Sequence, residues 1–291
     1  MLQLSALNSR TEIDLAGLRR AGAVAAQCLR AAVSAARSGV HTRDVDAVVE
    51  TRMHELGAEP LFRGYTQGTH PPFPGVCCVS INDEVVHGVP GDRVIEPGDL
   101  VSIDVGVRAD GWCADNARSL VADAERIIAN PELATSPLTA RVRRRLRLLE
   151  QTRATLALCV RTMRPGVRWS AVADAAEKHA RKQELGIVTE FVGHGIGREL
   201  HEPPKAPCFT TGYTGEDFVL RPGMTLAVEP ILTLDGPRAW LPGNPPGPRN
   251  RSRVRTDGPA WGVRTATGVD ACHEEHTILI TPFGVEVLTG D

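Results

Sequence analysis

The sequence predicts a protein of mixed helix and strand structure, α/β or α+β, built from two related halves. Three observations support this prediction: helical patterns alternate with short apolar runs, a helix–turn–strand unit occurs twice, and both copies end in a carboxylate. The 291 residues are enough for one large domain or two small ones. With 42% hydrophobic and 23% charged residues, the composition is that of a globular protein with a sizeable core.

The helices follow from capping signals and from runs of helix-forming residues. Thr11 and Asp14 have the spacing of a capping box, which opens a helix rich in Ala, Leu and Arg. This helix is predicted to extend to about Arg37, because Gly39 is a helix stop signal. The other predicted helices cover residues 43–56, about 138–163 and about 170–185.

Short apolar runs, often of β-branched residues, predict the strands between the helices. Pro230 lies inside one of these runs and stops its regular pairing, because proline has no backbone N–H. The predicted strands cover residues 76–81, 100–107, 225–232 and 276–280.

The internal repeat matters more than any single element. Gly39 opens a Gly-Val-x-x segment that leads into a helix, and Gly166 opens a similar segment 127 residues later. Downstream, two Pro-Gly turns each lead into an apolar strand, and these strands end at Asp104 and Glu229. Two such halves suggest a pseudo-two-fold domain with a site where the halves meet. The alternative is chance similarity between two generic helix–turn–strand units.

Two segments fall outside the repeat. Residues 122–145 resemble an elaborated connection between the halves, and residues 236–258 are dense in Pro, Gly and Arg. So many helix and strand breakers predict that the second insert is a mobile surface loop.

Charge and cysteine usage exclude several classes of protein. The formal net charge is −2, which argues against a protein that coats nucleic acid or an anionic membrane. We see neither an apolar run long enough to span a bilayer nor a secretory leader. The 7 cysteines are scattered and form no Cys-x-x-Cys pair, as is typical of a reducing compartment. We therefore expect a cytoplasmic protein that binds neither DNA nor a membrane.

Carboxylates associated with strands are the first candidates for chemistry. A hairpin would place Asp104 beside Asp115, and two anionic groups in an apolar setting need a shared proton or a cation. Glu229 ends one apolar strand and Glu275 directly precedes another, whereas Glu274 is expected on the opposite face, toward solvent. Turn aspartates and satisfied ion pairs are the alternative interpretation of each residue taken alone.

Three histidines accompany these carboxylates. His194 lies among glycines, where little side-chain bulk blocks approach, and His87 and His201 lie in other polar segments. Oxygen-rich ligation with one imidazole suits Mn²⁺, Fe²⁺ or Co²⁺ better than a structural zinc. Two cations bridged by carboxylates are a common device for activating water.

Taken together, these motifs resemble those of the type I methionine aminopeptidases, which belong to the pita-bread metallopeptidase family M24. The resemblance extends from about residue 12 to 289. It implies an α+β pita-bread fold with a pseudo-two-fold repeat, an antiparallel sheet covered by helices, and a single catalytic domain over 1–291. The motifs, in order, are SINDEVVHGVP, VSIDVG, DGWCADNARS, FVGHGIGRELHEPP, LAVEP and EEHT.

The resemblance also implies a role for each site residue. Two divalent ions, Co²⁺, Mn²⁺ or Fe²⁺, and a bridging hydroxide that attacks the first peptide bond are expected. His201 is implied to contact the scissile amide, His87 to lie near the leaving side of the substrate, and Glu229 to pass the proton to the departing amine. The implied metal ligands are Asp104 for one ion, His194 and Glu229 for the other, and Asp115 and Glu275 as bridges.

By position in the pattern, an apolar pocket for the substrate methionine is implied. Its lining would be Phe73, Cys78, Leu200 and Trp261. The sequence departs from the common pattern at Asn116, where a small hydroxyl residue is usual, and at Leu200, where an aromatic is common. It also departs at 271–275, where Ala-Cys-His-Glu-Glu replaces Ser-Ala-Gln-aromatic-Glu. These departures concern the substrate range and the surroundings of Glu275.

Related folds and other classes give different expectations. Prolidase or aminopeptidase P would carry an extra N-terminal domain, for which Asp104 comes too early. A type II methionine aminopeptidase would insert a subdomain between His201 and Glu229, which only 27 residues separate. An inactive binding protein of this fold would lose metal ligands, whereas all five are present. The interpretation as a nucleic-acid-binding protein would depend on the Arg-rich insert alone, and the near-neutral net charge argues against it.

The implied partners are nascent polypeptide N-termini and peptides, bound by a monomer. The arginines of the second insert have two interpretations: transient association with the ribosome through RNA, or an ordinary solvated loop. These arginines are Arg249, Arg251, Arg253 and Arg255.

Overall fold

The computed structural model describes residues 11–211, 217–234, 251–256 and 261–290. Within these residues it contains the helices α1 Glu12–Ala35, α2 Thr42–Glu55, α3 Ala124–Ala129, α4 Pro137–Thr162 and α5 Trp169–Lys182. The strands of the first half are β1 Glu59–Pro60, β2 Cys78–Ile81, β3 Glu84–Val86, β4 Leu100–Ala109 and β5 Trp112–Val121. The later strands are β6 Gly186–Val188, β7 Gly193–Gly195, β8 Glu202–Ala206, β9 Thr225–Val228, β10 Ile231–Thr233, β11 Arg251–Ser252, β12 Val254–Thr256, β13 Val263–Thr265, β14 Ala271–His273, β15 His276–Thr281 and β16 Gly284–Val287.

The capping signals act as the sequence indicates. The Thr11 side chain accepts from the backbone N–H of Asp14, and the Asp14 carboxylate accepts from that of Thr11, so a capping box opens α1. The helix ends at Ala35, two residues before the predicted end. The long Arg-rich helix α4 begins after Ser136, whose hydroxyl accepts from the backbone N–H of Thr139.

The repeat predicted from the sequence is present in three dimensions. Gly39 donates to the carbonyl of Ile95 just before α2, and Gly166 donates to the carbonyl of Leu220 just before α5. Both glycines adopt a positive φ, 86° and 87°, which favours glycine at these turns. Helices α2 and α5 therefore begin 127 residues apart in matching surroundings.

Each half has its own hydrophobic core. One core joins α1 and α2 to the inner residues of β4, including Val101, Ile103 and Val105. The other joins α4 and α5 to β9 and β15 through residues such as Leu226 and Ile278. Helices thus cover the sheet of each half. Asp104 was expected at the end of its strand but lies in the middle of β4, because that strand continues to Ala109, whereas Glu229 directly follows β9.

The main sheets are antiparallel throughout. In the first, β4 pairs with β1, β2 and β5. In the second, the order is β16-β15-β9-β7-β8, which places the short strand β7 between β9 and β8. Two smaller sheets, β11-β6-β10-β14 and β12-β13-β3, connect them. No helix among the described residues is long and apolar enough to cross a membrane.

Three details of the sequence-based prediction require correction. The run 225–232 is two strands, because Glu229 and Pro230 interrupt the pairing between β9 and β10. The connection 122–145 contains α3, and α4 begins inside it at Pro137. Residues 251–256 of the second insert form β11 and β12, so this part is not a loop. The remainder of the insert, 236–250 and 257–258, lies outside the described residues.

Candidate metal centre

Asp104 and Asp115 lie on the same face of the β4–β5 hairpin. The register pairs Asp104 with Ala117 and Asp115 with Gly106, so the two aspartates are diagonal neighbours rather than directly opposite. A diagonal pair on one face is still close enough for side chains to interact, and the neighbouring charge of Asp115 adds to burial in raising the pKa of Asp104. The hairpin therefore delivers two carboxylates to one point between the halves.

His194 occupies the middle of β7 and has a defined orientation. Its Nδ1 lies 2.9 Å from the carbonyl oxygen of Gly195, which is an acceptor only, so Nδ1 is the donor and Nε2 is the ring nitrogen left for the other ligands. The flanking glycines allow this strand to fit. A Cβ on Gly193 would lie 2.3 Å from the carbonyl oxygen of Ala227, and one on Gly195 the same distance from that of Pro203.

Glu229 and Glu275 are brought together by the pairing of β9 with β15. His276 pairs with Val228, so the two glutamates occupy neighbouring positions just beyond the paired residues. The backbone N–H of Glu275 donates to the carbonyl of Ala117, which fixes β15 against the β4–β5 hairpin. Asp115, His194 and Glu275 each offer a ligand atom, and these atoms lie within 4.8 Å of one another.

The donor set fits a cation. One oxygen each of Asp104, Asp115 and Glu275 is buried without a hydrogen-bond partner among the described residues. Burial, and then the charge of Asp115, raises the pKa of Asp104 well above its usual range. Burial likewise raises the pKa of Glu275 and that of Asp115. Several buried acids with unpaired oxygens are unfavourable together unless protons or cations neutralise them.

His87 and His201 lie on the wall of the cavity that contains the carboxylates, whose volume is about 550 Å³. The His201 ring lies 4.4 Å from that of His194, and its Nδ1 lies 3.4 Å from the hydroxyl of Tyr65. Burial lowers the pKa of His87 to about 4. His201 is exposed as a residue but its ring is partly buried, and this burial, with the charge of His194, lowers its pKa to about 4 as well. Both rings are neutral near pH 7.

An apolar compartment lies beside the carboxylates. Phe73, Cys78 and Trp261 form a buried cluster, and Phe62 connects it to a second cluster that contains Leu200. The indole N–H of Trp261 donates to the carbonyl of Pro71 over 2.6 Å, which fixes the ring. Every residue that the sequence proposed for ligation, catalysis or the pocket therefore lines the same cavity.

Further residues of the cavity were not identified from the sequence as site residues. Tyr65 packs edge-on against His201. His273 is 3% exposed, and its Nε2 lies 3.4 Å from Glu229 Oε2 and 3.8 Å from Glu275 Oε2. The unusual Ala-Cys-His segment was the available signal for His273, but it did not show where the imidazole would point.

The expectation that Glu274 faces solvent is wrong. Glu274 is 5% exposed, accepts from the backbone N–H of Ser119 and pairs with Arg153 of α4 at 3.1 Å. The face opposite Glu275 is covered by α4, so both faces of this segment are buried. Strand alternation separated the two glutamates correctly but could not show that a helix lies on the second face.

The domain has two matching α+β halves, and carboxylates and imidazoles converge in a cavity between them. This arrangement is typical of metal-dependent hydrolases with pseudo-two-fold symmetry. Residues 16–282 match the model of Metallopeptidase family M24, so the chain belongs to that family.

Relatives match over nearly the full length. Methionine aminopeptidase of Treponema pallidum (strain Nichols) is 33% identical over 280 residues, covering 96% of this chain and 95% of that protein. Methionine aminopeptidase 1 of Mycobacterium tuberculosis (strain CDC 1551 / Oshkosh) is 36% identical over 287 residues, covering 96% and 94%.

Solved structures of similar proteins have the same fold. The methionine aminopeptidase of Thermotoga maritima superimposes with a TM-score of 0.79 at 31% identity, covering 97% of this chain and 98% of that chain. The prolidase of Pyrococcus furiosus superimposes with a TM-score of 0.67 at 22% identity, covering 99% of this chain and 66% of that one, and shows the fold alone. The predicted α+β pita-bread fold is confirmed.

Proposed function

We propose that the protein is a methionyl aminopeptidase, which hydrolyses the first peptide bond of proteins and peptides that begin with methionine followed by a small residue. The observation that carries the proposal is the convergence of Asp115, His194 and Glu275 at the end of an apolar compartment. Acidic ligands beside an apolar pocket suit a peptide bond that follows an apolar first residue. The full-length similarity to methionine aminopeptidases supports the same substrate.

The metal ligands are proposed to be Asp104, Asp115, His194, Glu229 and Glu275, around two divalent ions. Mn²⁺, Fe²⁺ and Co²⁺ match this oxygen-rich set. Such ions supply Lewis-acid polarisation of a carbonyl and activation of water. Three ligands lie within strands β4, β5 and β7, whereas Glu229 directly follows β9 and Glu275 directly precedes β15. The Nδ1 hydrogen bond of His194 orients its Nε2 toward Asp115 and Glu275.

The remaining polar residues act on the substrate. His201, neutral near pH 7, is positioned to donate a hydrogen bond from its ring to the oxygen of the scissile amide. Glu229 accepts a proton and delivers it to the departing amine nitrogen. His87, whose ring packs against Phe191 and Trp261, lies on the leaving side of the substrate and orients the second residue.

The pocket for the methionine side chain is formed by Phe73, Cys78 and Trp261, with Leu200 at its edge. Each of these four side chains is at least nine-tenths buried. Flat aromatic and sulfur-bearing walls suit an unbranched thioether, because sulfur–aromatic contacts are favourable. Cys78 has no proposed chemical role, and burial raises the pKa of its thiol well above the usual range.

The proposed setting is one catalytic domain over 1–291, acting as a monomer in the cytoplasm on nascent chains. Transient ribosome association through Arg253 and Arg255, exposed on β12 and beside it, is the accompanying hypothesis. Deletion of residues 249–255 followed by ribosome co-sedimentation tests it, and unchanged co-sedimentation would dispose of the idea.

The decisive test of the proposed function is Asp115→Asn, which keeps the shape and removes a charged ligand. Hydrolysis of Met-Ala-Ser and bound metal are measured together. We expect turnover to be nearly abolished, because the centre would lose one of its anionic ligands. Asp110→Asn is the matched control: it lies on the exposed turn of the same hairpin and is expected to leave both quantities unchanged. Near-normal turnover of Asp115→Asn at full metal occupancy would overturn the assignment.

A substrate series tests the specificity. Met-Ala-Ser, Ala-Pro and X-Pro peptides are compared with Mn²⁺, Fe²⁺ and Co²⁺ in turn, and release of methionine alone is expected. Cleavage of X-Pro peptides without methionine release would favour a prolidase-like activity instead.

A further inference from the structure

His273 is a buried imidazole among the proposed metal ligands, and no role has yet been assigned to it. It ends β14, two residues before Glu275, and its side chain is 3% exposed. Its Nε2 has no hydrogen-bond partner among the described residues and faces the cavity between Glu229 and Glu275. In the pattern that the sequence resembles, glutamine is the commoner residue at this position.

The position of the His273 Nε2 atom is described by its distances to the two neighbouring glutamates. It lies 3.4 Å from Glu229 Oε2 and 3.8 Å from Glu275 Oε2. A good N–H···O bond is about 2.7–3.2 Å long, so the contact with Glu229 is a long one and the separation from Glu275 is beyond it. Two ligand atoms on the same ion, each about 2.1 Å from it, lie about 3.0–3.6 Å apart for angles of 90–120°. The separation from Glu229 therefore falls within the range for two ligands of one ion, and that from Glu275 lies just above it.

The backbone of His273 is firmly held, which a ligand position requires. Its N–H points to the hydroxyl of Ser102 on β4 at 3.4 Å, and its carbonyl accepts from Ser119 of β5 at 2.7 Å. The neighbouring residue Glu274 is held by Ser119 and Arg153. The imidazole is thus presented from a rigid strand end rather than from a loop.

We propose that His273 is a second nitrogen ligand of the metal centre, acting together with His194 and Glu229. The inference rests on the proposed metal centre and deepens it. Imidazole binds later first-row ions more strongly than Mn²⁺, and a neutral nitrogen binds them more strongly than an amide oxygen does. His273 therefore shifts the preference of the centre from Mn²⁺ toward Co²⁺ and Fe²⁺, relative to a centre with glutamine at this position.

The test compares metal affinities of the full-length protein with those of His273→Gln, which restores the common residue. Dissociation constants for Mn²⁺ and Co²⁺ are measured by chelator competition, and the visible spectrum of the Co²⁺ form is recorded. We expect His273→Gln to lower the ratio of Co²⁺ to Mn²⁺ affinity at least about tenfold, the scale on which even indirect partners of a metal act. We also expect the Co²⁺ absorption bands to shift. His179→Gln, in the distant helix α5, is the control and leaves ratio and spectrum unchanged.

The outcomes separate this inference from the proposed centre. An unchanged ratio and an unchanged Co²⁺ spectrum in His273→Gln, with both ions still bound, would overturn the ligand role alone. An equal weakening of both ions without a spectral shift would also overturn it, because that result describes a residue that only orients Glu229. Metal binding that is insensitive to Asp115→Asn would instead overturn the proposed centre itself.

Discussion

Replacing Arg145 by methionine should destabilise the protein strongly, although this arginine touches neither cavity nor substrate. Arg145 lies on α4, and its side chain is 7% exposed. Its guanidinium makes two hydrogen bonds to Asp270, at 2.8 and 3.0 Å, and one to the carbonyl of Gly98 at 2.6 Å. Asp99 lies 3.7 Å away. Arg145 thus connects the helix of one half to the turn before β4 and to the segment before β14.

The expected loss of stability follows from the polar groups that the substitution leaves without a partner. Methionine fills similar space but leaves Asp270, with 15% of its side chain exposed, and the Gly98 carbonyl without their buried partner. Removing one partner of a buried ion pair destabilises by about 3–5 kcal/mol. With an unfolding entropy of about 2.1 cal/mol/K per residue over 291 residues, this corresponds to a Tm lower by about 5–8 °C.

The assay is thermal unfolding followed by circular dichroism, on metal-free protein so that metal binding does not mask the change. Arg144→Met is the matched control, because Arg144 is the exposed neighbour on the same helix. Its free energy of unfolding should change by no more than about 0.5 kcal/mol. A Tm for Arg145→Met within 1 °C of that for Arg144→Met would refute the reasoning.

Three further predictions concern the cavity. Because burial raises the pKa of Asp104, Asp115 and Glu275, the metal-free centre retains protons at a pH where ordinary carboxylates have lost them. Metal affinity should therefore rise with pH, and calorimetry in buffers of different ionisation enthalpy should detect proton release. Affinity that stays constant as the pH rises above the usual range of carboxylates would contradict this. Gly193→Ala places a Cβ 2.3 Å from a carbonyl of β9, so we expect at least about 1–3 kcal/mol lost in urea unfolding and weaker metal binding. Gly284→Ala, in open space on β16 of the same sheet, is its control, and equal stability of the two variants would count against the packing argument. Trp261→Ala should raise KM for Met-Ala-Ser far more than it lowers kcat, because the indole forms a wall of the pocket and is not proposed to act in the reaction; a loss confined to kcat would argue otherwise.

Much of the fold was predictable because it follows from local patterns that recur. The two Gly-Val segments predicted two helices that begin in the same surroundings, and α2 and α5 do so. The break at Pro230 also followed from a local rule, the missing N–H. The insert at residues 251–256 was misjudged as loop, since its strands β11 and β12 exist only by pairing with β6 and β13.

The candidate site was predictable to the extent that carboxylates in apolar runs are rare unless something neutralises them. The sequence identified Asp104 and Glu229 as matching carboxylates of the two halves, and the structure brings both to one cavity, although Asp104 lies in the middle of β4 and not at its end. It could not distinguish a direct from a diagonal pairing of Asp104 with Asp115, because that register depends on where the β4–β5 turn closes.

The sequence by itself determined the two halves, their carboxylates and the family, because these depend on residue type and spacing along the chain. Only the tertiary structure decided what surrounds Glu275. The helix α4 covers one face and buries Glu274 against Arg153, while the pairing of β9 with β15 brings Glu229 within 3.4 Å of His273 on the other. These environments come from elements far apart in the chain, and strand alternation in the 271–275 segment contains no information about which elements will pack on either face.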